Sequence, residues 1–247
     1  MKVCIVQHDI VWQNPEENIL RMEARLDRAP QADLYVLAEM WATGFGDAPT
    51  VSLEAELWMR QMSREMKAAL AGSLAVEDGG VVHNRLLFVK PDGAVAHYDK
   101  RHLFAPGGEK DYFGAGRERT VVEWGGVRFL LQVCYDLRFP VWSRNRGDYD
   151  AMLYVANWPA RRMLAWQTLL RARAIENQCY VVGVNRVGTD PVAEYVGGST
   201  VVDAYGNCVA QCGADEGFAT AELDLERMRE FRQKFPVLED RDNFTII

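Results

Sequence analysis

The sequence predicts an α/β fold with layered sheets of mixed strand direction, and three observations carry that expectation. Short uninterrupted apolar runs, such as residues 2–7 (KVCIVQ) and 33–38 (DLYVLA), suit strands covered on both faces. Stretches with apolar residues at helical spacing alternate with them, as in proteins built on parallel strands. Several neighbouring strands are joined by short turns, and these hairpins do not belong to a purely parallel doubly wound sheet.

The elements follow in order. Residues 2–7 form the first strand, and Asn14-Pro15 then starts a helix, with Asn14 as cap, Pro15 in the first turn and Glu17 closing a capping box. Ile19, Met22 and Leu26 give that helix its apolar face. The strand at 33–38 is followed by a second helical pattern through Leu53, Leu57, Met62, Met66 and Leu70, and then by a strand at 72–76. Residues 84–98 form a hairpin around the turn Pro91-Asp92-Gly93. Further strands are expected at 120–124, 127–133, 151–156, 179–185, 199–203, 208–212 and 218–222, with a turn at 204–207. Helices are expected at 161–178 and 224–234. No linker-like tract or repeat interrupts this order, so residues 1–247 are expected to form a single domain.

Composition narrows the function. With 49% apolar and 26% charged residues, the 247-residue chain is neither disordered nor collagenous. A net charge of −7 argues against a general nucleic-acid binder. No apolar run approaches the roughly 18–20 residues of a membrane span. The first strand meets His8 and Asp9 too soon for a secretory signal. Five scattered cysteines make no disulfide framework and point to a reducing cytoplasm, which makes the Asn243 sequon accidental.

Cys134 is the most informative residue. It ends the apolar run 127–133, at the kind of strand end where α/β folds display reactive groups. Taken alone, it is equally a small apolar side chain that packs well. A nucleophilic thiol needs a proton acceptor, yet none of the four histidines lies in a cysteine-protease signature. Glu39, just beyond the strand 33–38, is a carboxylate alternative. Lys100, just beyond the strand that ends at Tyr98, can stabilise negative charge on oxygen. Each is individually an ordinary charge near a turn.

Together they resemble the three catalytic motifs of the nitrilase superfamily of carbon–nitrogen hydrolases: 37–45 (LAEMWATGF), 98–104 (YDKRHLF) and 133–140 (VCYDLRFP). The key residues Glu39, Lys100 and Cys134 occur in the family's order, 61 and 34 residues apart. The likeness continues through 154–159 (YVANWP), 173–177 (RAIEN) and 198–203 (GSTVVD). One departure is Ala38, where many members carry proline. The resemblance implies a four-layer α-β-β-α sandwich with two mixed β-sheets, cleaving non-peptide carbon–nitrogen bonds with no metal or cofactor. It implies a Glu39-Lys100-Cys134 triad, with Glu109 as the family's additional glutamate. It also implies a homodimer or higher homo-oligomer, with no nucleic-acid or membrane partner.

The segments around Cys134 and Trp158 are most similar to the bacterial omega-amidase branch, whose members hydrolyse the terminal amide of small dicarboxylate monoamides such as 2-oxoglutaramate. A substrate carboxylate would then meet Arg138, Arg161 or Arg162, with Phe45 and Trp158 as apolar walls and the Tyr135 amide at the oxyanion. Arg138 has a structural alternative, a tie to Asp136. The rival functions are another small-amide or N-carbamoyl hydrolase, and a member that binds without catalysis. Residues 114–119 (GAGRER) lack the third glycine and the preceding strand of a dinucleotide loop. Cys208 and Cys212 lack the histidines of a zinc site.

Overall fold

A computed structural model describes residues 1–46 and 48–246. The first strand, β1 (Lys2–Gln7), buries every residue after Lys2. Helix α1 (Pro15–Leu26) starts where expected, with Asn14 Oδ1 accepting the Glu17 amide at 3.1 Å. The reciprocal half of the capping box is replaced: the Glu17 carboxylate turns outward to Arg21 at 2.6 Å. Strand β2 (Leu34–Val36) is short and fully buried. Helix α2 (Leu53–Met66) is capped by Ser52, and it ends before Leu70 because Lys67 takes a left-handed conformation at φ 53°. Leu70 instead belongs to β3 (Ala69–Asp78), which runs antiparallel to β4 (Val81–Val89), itself antiparallel to β5 (Val95–Asp99).

The second half repeats the plan. Strands β6 (Val121–Trp124) and β7 (Val127–Val133) form a hairpin, and a short helix α3 (Pro140–Ser143) leads to β8 (Ala151–Ala156). Helix α4 (Met163–Asn177) precedes β9 (Tyr180–Asn185). A small separate hairpin, β10 (Val187–Thr189) and β11 (Glu194–Val196), was not expected; its three-residue strands are too short for an alternation pattern to reveal. Strands β12 (Thr200–Val202), β13 (Cys208–Gln211) and β14 (Gly217–Glu222) and helix α5 (Leu225–Lys234) complete the chain.

Two six-stranded sheets result, ordered β14-β1-β2-β3-β4-β5 and β13-β12-β9-β8-β7-β6. Each has three parallel central strands flanked by antiparallel ones. Alternation explains the layers. Val3 and Ile5 of β1 join Phe129, Leu131 and Val155 in the core between the sheets, where the rings of Phe88 and Phe129 lie 6.0 Å apart. Cys4 and Val6 point the other way, to Met22, Leu26, Met59 and Met62 of α1 and α2. On the far side, Trp166, Leu170 and Ala174 bring α4 onto the second sheet. The architecture is the four-layer α-β-β-α sandwich. Burying each such side chain stabilises by about 1.5–3 kcal/mol, and this core fixes where the strand ends emerge. No helix of the described residues is long and apolar enough to cross a membrane.

Candidate active site

The residues singled out in the sequence converge at the carboxyl ends of strands from both sheets. Glu39 follows β2 on a turn in which Met40 adopts φ 48° and donates its amide to Ser73 Oγ at 2.9 Å. Lys100 follows β5, its amide held by the Asn84 carbonyl at 3.0 Å. Its own carbonyl accepts the Gly116 amide at 2.9 Å. A Cβ at Gly116 would lie 2.0 Å from the Asp99 carbonyl oxygen, so this glycine serves close packing rather than a phosphate loop. Cys134 is the first residue after β7 and opens a 3-10 turn at φ 46°, a left-handed conformation that a non-glycine residue enters at a cost. Asp136 holds that turn, accepting the Val133 amide at 3.0 Å, the Tyr98 hydroxyl at 2.8 Å and the His102 amide at 3.0 Å.

Glu39, Lys100 and Glu109 form one buried, hydrogen-bonded cluster. Lys100 Nζ donates to Glu39 Oε1 at 2.9 Å and to Glu109 Oε1 and Oε2 at 3.0 and 2.8 Å. Glu39 Oε2 accepts the Asn157 amide at 2.7 Å, and Glu109 Oε2 accepts the Phe104 amide at 2.6 Å. Burial alone would lower the Lys100 ammonium, but Glu109 and then Glu39 outweigh it and hold it well above its ordinary range. Burial, followed by the facing Glu39 carboxylate, pushes the Cys134 thiol well above its usual range, with Lys100 pulling against them. The sulfur therefore rests protonated at neutral pH and needs a base before it can attack.

Cys134 and the cluster open into a cavity of about 570 Å³. Phe45, Tyr135, Arg138, Trp158, Arg161 and Arg162 all line it, together with Glu39, Lys100 and Glu109. Arg138 stacks over Trp158 at 5.0 Å and Arg162 over Phe104 at 4.9 Å. Asp136 is occupied by Tyr98, His102 and Val133, so the alternative tie between Arg138 and Asp136 is not made. Burial, then the Arg161 and Arg138 charges, pulls the Arg162 guanidinium below its ordinary range. No salt bridge joins these three arginines to a carboxylate of the described residues.

The sequence matches the carbon-nitrogen hydrolase family over residues 2–233. The chain belongs to that family. Across 100% of this hydrolase's length and 99% of its own, an omega-amidase YafV from Yersinia enterocolitica is 48% identical. A 2-oxoglutaramate amidase from Bacillus subtilis is 35% identical, over 96% of each chain. The solved structure of XC1258 from Xanthomonas campestris, described as a CN-hydrolase superfamily protein with an arsenic adduct in its active site, matches with a TM-score of 0.96. It is 41% identical and the match covers 100% of this chain and 98% of the other. The protein is thus a hydrolase of carbon–nitrogen bonds, of the nitrilase superfamily.

Three contributors to this carbon–nitrogen hydrolase's site escaped the sequence reading. Asn84 binds Glu39 Oε1 at 2.8 Å and Glu109 Oε1 at 3.1 Å, but in the sequence it only opens an apolar strand. Asn157, within the 154–159 segment, grips Glu39 through both its amide and its side chain, the latter at 2.9 Å to the Glu39 carbonyl. The β10–β11 hairpin supplies Asp190, Val192 and Tyr195 to the cavity wall. A polar residue beside a buried run was the available signal for the two asparagines. No group of three or more His, Cys, Asp or Glu side chains among the described residues is arranged to hold a metal.

Proposed function

We propose that this hydrolase releases ammonia from the terminal amide of short dicarboxylate monoamides, of the 2-oxoglutaramate and succinamate type, through a thioester on Cys134. One observation carries the reading: a single cavity joins the buried Glu39-Lys100-Glu109-Cys134 group to three arginines that have no carboxylate partner among the described residues. A carboxylate at one end of the substrate answers those charges, and arginine's planar fork suits it. The amide at the other end then reaches Cys134. The relatives named omega-amidase and 2-oxoglutaramate amidase support the same substrate class.

The chemistry follows from the residue types. Glu39 takes the Cys134 proton as the sulfur attacks the amide carbon, forming the C–S bond. Lys100 spends two of its three donor contacts on Glu109, and giving up one of them frees an ammonium hydrogen for the developing oxyanion beside the Tyr135 backbone N–H. Glu39 returns the proton to the nitrogen as the C–N bond breaks and ammonia departs, leaving the thioester. Glu39 then deprotonates a water that attacks the thioester carbon, and the carboxylic acid leaves with Cys134 reprotonated. Glu109 holds Lys100 in place. On this reading residues 1–247 act as one domain and as a homodimer or higher oligomer, and five free thiols support a cytoplasmic setting.

Paired kinetics on succinamate and butyramide, which differ in the distal carboxylate, test the proposal. The expected result is a kcat/KM at least about 10-fold higher for succinamate, the value of one charge-assisted hydrogen bond. Equal values would remove the carboxylate clamp and leave a broader small-amide or N-carbamoyl hydrolase.

A further inference from the structure

We propose that Asn84 is a positioning residue for this hydrolysis: its side-chain amide holds the Glu39 and Glu109 carboxylates side by side and keeps Glu39 turned toward Cys134. The inference rests on the catalytic reading above and deepens it.

The site has a charge problem. Two carboxylates, Glu39 and Glu109, share one ammonium, Lys100, and all three are buried. Like charges this close repel, and a buried carboxylate without enough donors takes up a proton instead. Neutral donors must make up the difference. Asn84, fully buried on β4, is the side chain that serves both acids: Nδ2 reaches Glu39 Oε1 at 2.8 Å and Glu109 Oε1 at 3.1 Å. The orientation of its amide is forced, because Oδ1 turned to two carboxylates would repel both. Lys100 Nζ binds the same two oxygens, so Asn84 and Lys100 clamp Glu39 Oε1 from two directions. The Asn84 carbonyl also accepts the Lys100 amide at 3.0 Å, tying the clamp to the strand that follows it. With Oε1 committed, Glu39 presents its other oxygen, which accepts only the Asn157 amide among the described residues at 2.7 Å, to the thiol proton.

A buried asparagine that merely packs would affect stability and nothing else. A positioning residue also sets where the base titrates, since each lost hydrogen bond to a carboxylate favours its protonated form. The titratable groups facing Glu39 are Lys100 after β5, Glu109 from its 3-10 turn, Cys134 after β7 and, farther off, Tyr195 on β11.

The test uses the full-length protein with Asn84→Leu, which keeps the branching and the number of side-chain heavy atoms and deletes both donors. Asn84→Ala is measured in parallel, in case leucine disturbs the strand. Two pH profiles are recorded: kcat/KM on succinamate, and the rate at which iodoacetamide alkylates Cys134. The acid limb of both is expected to move up by about one pH unit, with kcat falling about 10-fold and KM changing less than about three-fold. Acid limbs that stay in place in a folded variant overturn the proposal, even if the rates drop. Alkylation needs no amide substrate. A shifted alkylation limb in a protein that ignores every omega-amide would therefore uphold Asn84 and sink only the substrate reading.

Discussion

The two ends of the cavity handle charge in opposite ways. At the inner end, Glu39, Lys100 and Glu109 are buried, and their charges are met by one another, by Asn84 and by backbone amides at 2.6–3.1 Å. At the outer end, Arg138, Arg161 and Arg162 sit on 3-10 turns at the cavity mouth, and aromatic faces rather than acids steady Arg138 and Arg162. A buried charge left unpaired costs several kcal/mol, so the inner group must be satisfied before any substrate arrives. A solvated charge tolerates an empty partner position. The inner end is preorganised for the reaction, and the outer end holds its charges open for a mobile anion.

The largest expected effect strikes the inner end. Cys134→Ala should reduce ammonia release from succinamate to background, and Glu39→Gln should lower kcat by roughly 10²–10⁴. Alanine carries the same Cβ as cysteine, so the left-handed turn gains no new strain and the circular-dichroism spectrum should not change. Full activity in either variant would mean that the nucleophile or the base lies elsewhere.

Next in size is the outer end. Arg138→Leu and Arg162→Leu should each lower kcat/KM on succinamate by about 10–100-fold, while butyramide stays within about three-fold. A loss shared equally by both substrates would show that the arginines support the inner end, and the contrast between the two ends would collapse.

The same contrast decides what was legible in the sequence. Glu39 and Cys134 each follow a buried apolar run, so the run that builds the core also announces the strand end that displays them; Lys100 follows the mixed strand VAHYD, which its hairpin turn announces. Glu109 lies in a glycine-bearing loop and was reached by resemblance alone; the structure places it 2.8 Å from Lys100. Asn84 was hidden because a polar residue at a strand's edge looks solvated until the neighbouring strands are in place. The β10–β11 hairpin was hidden because three residues are too few to alternate. The limits of α2 were misjudged at Leu70, whose apolar character fits the helical spacing as well as the strand it joins. Contacts across the two sheets depend on register, which local pattern does not encode.

The smallest effect on activity, and the one that protects the interpretation of the others, concerns His8. Acid pH can silence the enzyme by protonating Glu39 or by unfolding the chain, and only the first belongs to the inner end. His8 follows β1 and is buried, with Nδ1 donating to the Val6 carbonyl at 3.1 Å and Nε2 without a partner among the described residues. Burial, joined by the Arg25 and Arg186 charges, lowers its pKa from the ordinary 6.5 to about 4, against the smaller pull of the Val6 carbonyl and Glu216. The unfolded chain therefore binds this proton first as pH falls. The stability tied to neutral His8 is complete above about 6.5 and drains away between there and about 4, to a total of about 3 kcal/mol. His8→Asn keeps a donor for Val6 and cannot charge. Its urea midpoint should vary less between pH 7.5 and 4.5 than that of the parent, while the acid limb of its kcat/KM stays where it was. If the limb moved with His8, the acid response would report the fold rather than Glu39, and the pH readout of the inner end would have to be replaced by alkylation kinetics at fixed stability.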